Sequence, residues 1–359
     1  MTTYQPSFFD EAEKLEKLSK LGDPLVALKQ YINFEMFRPL LEQATARDRK
    51  GEAGRPSYDL VLKFKILVLQ RLYNMSDEQI EYQINDRQSF QRFLGLHMGS
   101  EVPDYSSVWR FREQLGQGGA DKKLFGAFTS KLEEQGIITK TGTIVDASFV
   151  EVPRQRNTRE ENRIIKEGGV PEEWEKQPRK LAQKDCEARW TKKNDQVHYG
   201  YKDHDVVDAQ SKLIRYYEVT PAHVYDGNKL EELITEKNEG ESVFADSAYR
   251  SAGHEEKLAQ MGIRSYIHEK ATRGRPLDEV QKRINAIKSR VRVRIEHIYG
   301  HMENSMGGDT MEYIGLKRIT TAVGLRNLTY NMVRYVQLIR TGQVKAGGGW
   351  VNGGTCATA

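Results

Sequence analysis

The chain has 359 residues, more than one compact core comfortably holds, so two domains are expected. Hydrophobic residues make up 38% and charged ones 30%, and no apolar run reaches the roughly 18 residues of a bilayer span, which argues against a membrane protein. The net charge is +4, and the two cysteines, Cys186 and Cys356, argue against a disulfide framework and a cysteine-rich zinc site.

Met1 to Leu18 carries Asp10, Glu11, Glu13 and Glu16 within its apolar pattern, unlike a secretory leader, so a cytoplasmic location is expected. The first 135 residues read as helical. Pro56 suits a helix first turn, and YDLVLKFKILVLQRLY (58–73) is apolar nearly all round, as a buried helix is. Ser76 and Gln79 form a capping-box pattern before Ile80 and Ile84. Phe90, Phe93 and Leu94 make a short apolar face closed by Gly95, and Ser106 reads as the cap of a helix carrying Trp109, Arg110, Phe111 and Arg112. Short helices with tight breaks suggest a helix-turn-helix-like unit over 1–135, with Arg110 and Arg112 reaching toward DNA and Trp109 in the core. A solvated helical bundle is the alternative.

From residue 136 the pattern changes to α/β. Thr143–Val152 is rich in β-branched residues, His198–Lys202 and Lys212–Thr220 read as strands, and a helix starts at Asp226 or Gly227 and runs to Leu233. Ser242–Ala245 is a short buried strand, His254–Met261 a helix, Arg264–His268 a fifth strand and Asp278–Ser305 a long helix. This order predicts a mixed sheet over 136–340. The polar segment 154–193, with isolated Trp174 and Trp190, reads as an insertion that is either mobile or ordered by DNA. Leu325, Leu328, Met332, Tyr335 and Ile339 share a helical face that packs on the core or a second subunit, and the glycine-rich stretch 341–359 reads as a disordered tail.

Asp146 and Asp246 each follow a buried β-run, where a carboxylate is costly without a partner. Glu296 lies in the long helix that packs after them. Each acid alone reads as a cap, a turn residue or, for Glu296, an i−4 pair with Arg292. Jointly they suggest convergence on Mg²⁺ or Mn²⁺, since oxygen ligands suit these ions and two of them activate water or a 3′-hydroxyl at a phosphodiester. His297 and His301, spaced i, i+4, find no third zinc-type ligand nearby. Between Lys270 and Arg294 a basic run includes Arg273, Lys288, Arg290, Arg292 and Arg294, opposed by Asp278 and Glu279, and suits phosphate contact.

With TIVDASFVEV, VFADSAYRS, RVRVRIEHIYGHM, HYGYKDH and the N-terminal blocks GRPSYDLVLKFKILVLQRLYNMSDEQIEYQINDRQSFQRFLGL and PDYSSVWRFREQL, the chain resembles the DDE transposases of bacterial insertion sequences, specifically insertion-sequence family five of the family-four-like group. The match runs to about Arg340. It implies a ribonuclease H-like catalytic domain, Asp146, Asp246 and Glu296 as catalytic and metal-binding acids, two Mg²⁺ or Mn²⁺ ions, double-stranded DNA as partner, a homodimeric synaptic complex and a nucleoid-associated location. The group's helix signature has arginine and glutamate at Arg292 and Glu296, but Ser289 stands at its tyrosine and Glu303 at its lysine. A nuclease of the same fold and a non-catalytic DNA-binding relic are the rival readings.

Overall fold

The computed structural model describes residues 10–46, 57–97, 99–193, 195–272, 274–308 and 310–351; Pro56, Arg273 and 352–359 lie outside them. Helices α1 (Asp10–Lys20), α2 (Pro24–Tyr31), α3 (Arg38–Thr45), α4 (Leu60–Leu72), α5 (Asp77–Asp86), α6 (Gln88–Leu94), α7 (Tyr105–Gln117) and α8 (Ala120–Glu134) precede strand β1 (Gly142–Glu151). Local chemistry sets their ends. Asp59 accepts from the Leu62 N–H at 2.9 Å to start α4. The Ser76–Gln79 capping box starts α5, and Gly95, at φ 79°, ends α6 in the left-handed conformation that glycine tolerates. Helix α7 is capped by Asp104 rather than Ser106. The Asp104 carboxylate accepts from the Ser107 N–H at 2.6 Å, and the Ser106 hydroxyl, inside the first turn, donates to the same oxygen.

Two expectations on α7 are corrected. Arg112 does not reach outward: it is 4% exposed, its fork donates to Asp77 Oδ1 and Oδ2 at 2.7 and 2.8 Å, and Nη1 also meets Gln70 Oε1. The turn of the helix puts Trp109 outside, 43% exposed, and leaves Arg110 exposed with its guanidinium on Ser106 Oγ.

After β1 come α9 (Arg159–Lys166), α10 (Glu172–Glu175), α11 (Pro178–Leu181), β2 (Arg189–Lys193), β3 (Gln196–Asp208), β4 (Ile214–Pro221), α12 (Leu230–Leu233), β5 (Ser242–Ala245), α13 (Ala252–Gln260), β6 (Arg264–Ser265), α14 (Glu279–Ser305) and α15 (Leu316–Arg340). The sheet order is β2-β3-β1-β5-β6, with β4 also paired to β3. β1 runs antiparallel to β3 and parallel to β5, so the sheet is mixed. β3 extends well past the expected Lys202 because its polar residues are buried with partners: Lys202 with Asp226, Asp203 with Asn327, His204 with Thr220. The expected fifth strand pairs regularly through two residues, although the Tyr266 and His268 N–H groups still donate to Val243 and Ala245 carbonyls.

Alternation along β1 divides the core. Val145, with Val206, Val243 and Ala245, packs on Leu230, Leu233 and Leu258. Ile144 and Val150 on the other face join Ile295, Ile298 and the N-terminal helices. α15 lies between those helices and β4, buried nearly all round, and Gly324 lets it approach the Tyr217 hydroxyl closely. The core is therefore continuous across the 135/136 boundary.

The polar segment 154–193 is ordered by its own contacts. Trp174 is fully buried and donates to Glu161 at 2.8 Å, while Asp185 accepts from Tyr201 and from the Gly315 N–H before α15. The glycine-rich tail, expected to lack order, packs as far as Val351: Val344 is buried and the Trp350 indole donates to Ile137 O at 3.2 Å.

Removing one partner of a buried ion pair strands the other. Arg112→Ala should cost about 3 kcal/mol of unfolding free energy, whereas exposed Arg110→Ala should cost less than about 0.5 kcal/mol. Urea denaturation of both variants checks this, and equal losses would contradict it.

Candidate active site

Parallel pairing sets the site. Val145 lies opposite Ala245, so Asp146 and Asp246 follow neighbouring positions where β1 and β5 run side by side. The Asp246 carboxylate turns back to accept the Ala248 N–H and caps a short helical turn, Ser247–Tyr249. One Asp146 oxygen accepts the Ala147 N–H at 2.8 Å, and the other accepts Arg292 Nη1 at 2.8 Å. Arg292 rises from α14, which packs on β1 and β5 through Ile295 and Ile298. Its Nη2 donates to Glu296 Oε1 at 2.6 Å, one turn along. Thus Arg292 bridges Asp146 and Glu296, and Asp246 lies close enough for its charge to act on Asp146.

Among the described residues no three acidic, histidine or cysteine side chains gather closely enough to hold a metal, and the Arg292 guanidinium pairs with both Asp146 and Glu296. The chemistry of the donors nevertheless fits a hard divalent cation. They are oxygens without thiolates, and they bear more negative charge than Arg292 cancels. Burial pushes the Asp146 carboxyl up to about 6, against the Ala147 N–H and Arg292; Asp246 adds to the rise.

Beside Asp146 on the neighbouring strand lies an acidic pair, Asp203 within the motif HYGYKDH and Asp205 just after it. Asp205 sits opposite Asp146 in the β1–β3 register and Asp203 opposite Ser148, both fully buried. Asn327 Nδ2 of α15 donates to Asp203 at 2.9 Å and to Asp205 at 3.2 Å, and Arg326 lies 3.2 Å from Asp203. Burial and then Asp203 raise the Asp205 carboxyl well above its ordinary range. The sequence signal was the alternation of acids in KDHD; their partners on α15 lie more than a hundred residues away.

The basic run on α14 divides by face. Arg290 is exposed. Arg294 is half-buried and donates to Ala209 O at 2.8 Å. Lys288 is not free for phosphate as expected: it is 9% exposed and its ammonium donates to Ile267 O and Glu269. His297 and His301 part company. His297 Nδ1 meets Lys212 at 2.8 Å, and His301 packs edge-on against Tyr330.

A family model described as Transposase DDE domain matches residues 138–332, which hold all three acids. The chain belongs to the DDE transposase family. A second model, Transposase domain (DUF772), matches residues 13–114 of this transposase. Its mixed sheet with helices on both faces is ribonuclease H-like, preceded by the helical N-terminal region. Among solved structures, a cryo-EM structure of the piggyBac transposase synaptic complex with hairpin DNA is similar over 89% of this chain and 76% of that one, at 13% identity and a TM-score of 0.44. No helix among the described residues of the transposase is long and apolar enough to cross a membrane.

Because the folded carboxyl of Asp146 titrates near 6 and the unfolded one near 3.8, the folded chain keeps a proton that the unfolded chain releases in that window. Stability therefore falls as pH rises through it. Asp146→Asn should gain on the wild type progressively from pH 4 to pH 6 and then hold a constant advantage, in metal-free buffer. Unfolding free energies of both proteins across pH 4–8 test this; a pH-independent difference would refute it.

Proposed function

We propose that this transposase hydrolyses phosphodiesters at the ends of an insertion sequence and joins the freed 3′-hydroxyl to target DNA, with two Mg²⁺ or Mn²⁺ ions held by Asp146, Asp246 and Glu296. The observation that carries the proposal is the pairing of β1 with β5, which sets Asp146 beside Asp246 while Arg292 ties Glu296 to the same point. Such ions, when bound, polarise the phosphoryl group and sharpen the attacking hydroxyl.

The chain's own groups do the rest. Asp146, buried and reluctant to ionise, gains its charge where a cation compensates it. Arg292 neutralises Asp146 and Glu296 in the metal-free protein. Released from one of them, its fork suits a phosphate oxygen pair. Arg290, exposed on the same helix, is the second candidate phosphate contact. Arg110, exposed on α7, is the corresponding candidate in the N-terminal helices, which would read the terminal sequence of the element. The partners are then double-stranded element ends and target DNA, brought together by a homodimer.

Asp146→Asn, Asp246→Asn and Glu296→Gln should each abolish Mg²⁺-dependent cleavage and strand transfer on a duplex carrying the element's end, with metal-free DNA binding retained. A variant that cleaves near the wild-type rate would remove that acid from the site. Cleavage without joining in the wild type would make the chain a nuclease instead.

DNA affinity should fall with salt, and Arg290→Ala should flatten the log–log slope by about one. An unchanged slope would make Arg290 an ordinary solvated charge.

A further inference from the structure

Lys202, in the middle of HYGYKDH, is a charge carried into the interior without touching either catalytic aspartate. It stands on β3 opposite Phe149, three residues past Asp146, and is 8% exposed. Its ammonium donates to Asp226 Oδ1 at 2.7 Å and to Val224 O at 2.8 Å, and lies 5.5 Å from the Phe149 ring centroid. The two hydrogen bonds hold the segment between β4 and α12 against the strand. A buried ion pair is a poor source of stability, since apolar residues fill the same space at less desolvation cost.

The held segment leads to Asp246. Tyr225, next to Asp226, donates its hydroxyl to Ala248 O at 2.8 Å. Gly227, on the other side of Asp226, packs so tightly that an added Cβ would lie 2.5 Å from the same Ala248 oxygen and 2.7 Å from the Tyr225 ring. Ala248 is the residue whose N–H holds the Asp246 carboxylate. The carbonyl of one residue is thus gripped from the segment that Lys202 anchors, while its N–H orients the catalytic acid. Lys270 approaches the Tyr225 hydroxyl at 3.4 Å from the far side.

We infer that the Lys202–Asp226 pair, acting through Tyr225 and Gly227 on Ala248, is a positioning device for Asp246. Asp246 lies in a short turn at the end of a four-residue strand, and its one oxygen with a hydrogen bond among the described residues is the one held by Ala248. Without the grip on Ala248 the carboxylate samples more orientations and offers a cation a less ordered ligand. The inference rests on the proposed metal-dependent reaction.

The test uses the full chain and Mn²⁺ alone as probe. Mn²⁺ affinity is read by titration calorimetry or by the electron paramagnetic resonance signal of the free ion, in wild type, Tyr225→Phe and Asp226→Asn. Both variants should bind Mn²⁺ about 10-fold more weakly, the lower end for groups that orient a metal ligand. Cleavage by Tyr225→Phe should recover as Mn²⁺ is raised, with DNA affinity unchanged. Tyr225 is half exposed and loses a single hydroxyl, so its melting temperature should match the wild type even if Asp226→Asn, which strands a buried lysine, unfolds more readily. Tyr225→Phe with wild-type Mn²⁺ affinity, or with a loss of cleavage that added Mn²⁺ does not restore, would overturn the positioning role. A wild type that neither binds Mn²⁺ nor cleaves would instead overturn the proposed reaction, and the inference with it.

Discussion

Two carboxylates at the same level of adjacent parallel strands are the constraint around which the catalytic half is built. Burial disfavours the charge of Asp146, and the Asp246 charge beside it adds to that cost. β1 and β5 cannot separate to relieve this, because Val145 and Ala245 are packed on one face and Ile144 on the other. Compensation comes from the backbone beside each acid and from α14. Backbone N–H groups of Ala147 and Ala248 take one oxygen of each acid, and α14 delivers Arg292 between Asp146 and Glu296. A guanidinium is a serviceable substitute for a divalent ion in the free protein: it is planar, always charged and able to span two carboxylates.

The same problem recurs one strand inward, where Asp203 and Asp205 are wholly buried. Here the solution is not a cation alone but the amide of Asn327 shared between the two acids, with Arg326 beside Asp203. Both come from α15. That helix also meets α4, α7 and α8 and stacks on β4, so one element fills the space between the N-terminal helices and the sheet while supporting the floor of the site. Domain separation in the sense of independent cores does not describe this chain. The N-terminal helices and the mixed sheet share one apolar core, and α15 contributes to it while carrying the amide that supports Asp203 and Asp205.

Legibility in the sequence followed the range of the interactions. The capping box at Ser76, the left-handed stop at Gly95, the cap of α14 at Asp278 and the β-branched run of β1 are local, and the residues that make them stand within a few positions of one another. The three acids were legible as candidates because the two aspartates follow apolar β-runs and Glu296 lies within a recognisable long helix. Arg112 and Lys288 read as outward basic residues because charge alone carries no direction; Asp77 and Glu269, distant in sequence, turn them inward. Trp174 was isolated among charges in sequence, yet it is buried, with Glu161 accepting its indole N–H and the ammonium groups of Lys180 and Lys184 over its ring.

By itself the sequence carried the change from a helical to an α/β pattern near residue 136, the strands that flank the two aspartates and the three acids as candidates, but not β2 or the short helices of 154–193. These depend on residue type and periodicity, which short-range sterics and hydrogen bonding translate directly into backbone conformation. Tertiary structure alone decided that Arg292 bridges two of the acids, that Lys202 pairs with Asp226, and that α15 joins both halves in one core. Each of those outcomes is a choice of partner for a charged or apolar group. The free energy of burial does not specify that partner until strands and helices from distant parts of the chain have closed around it.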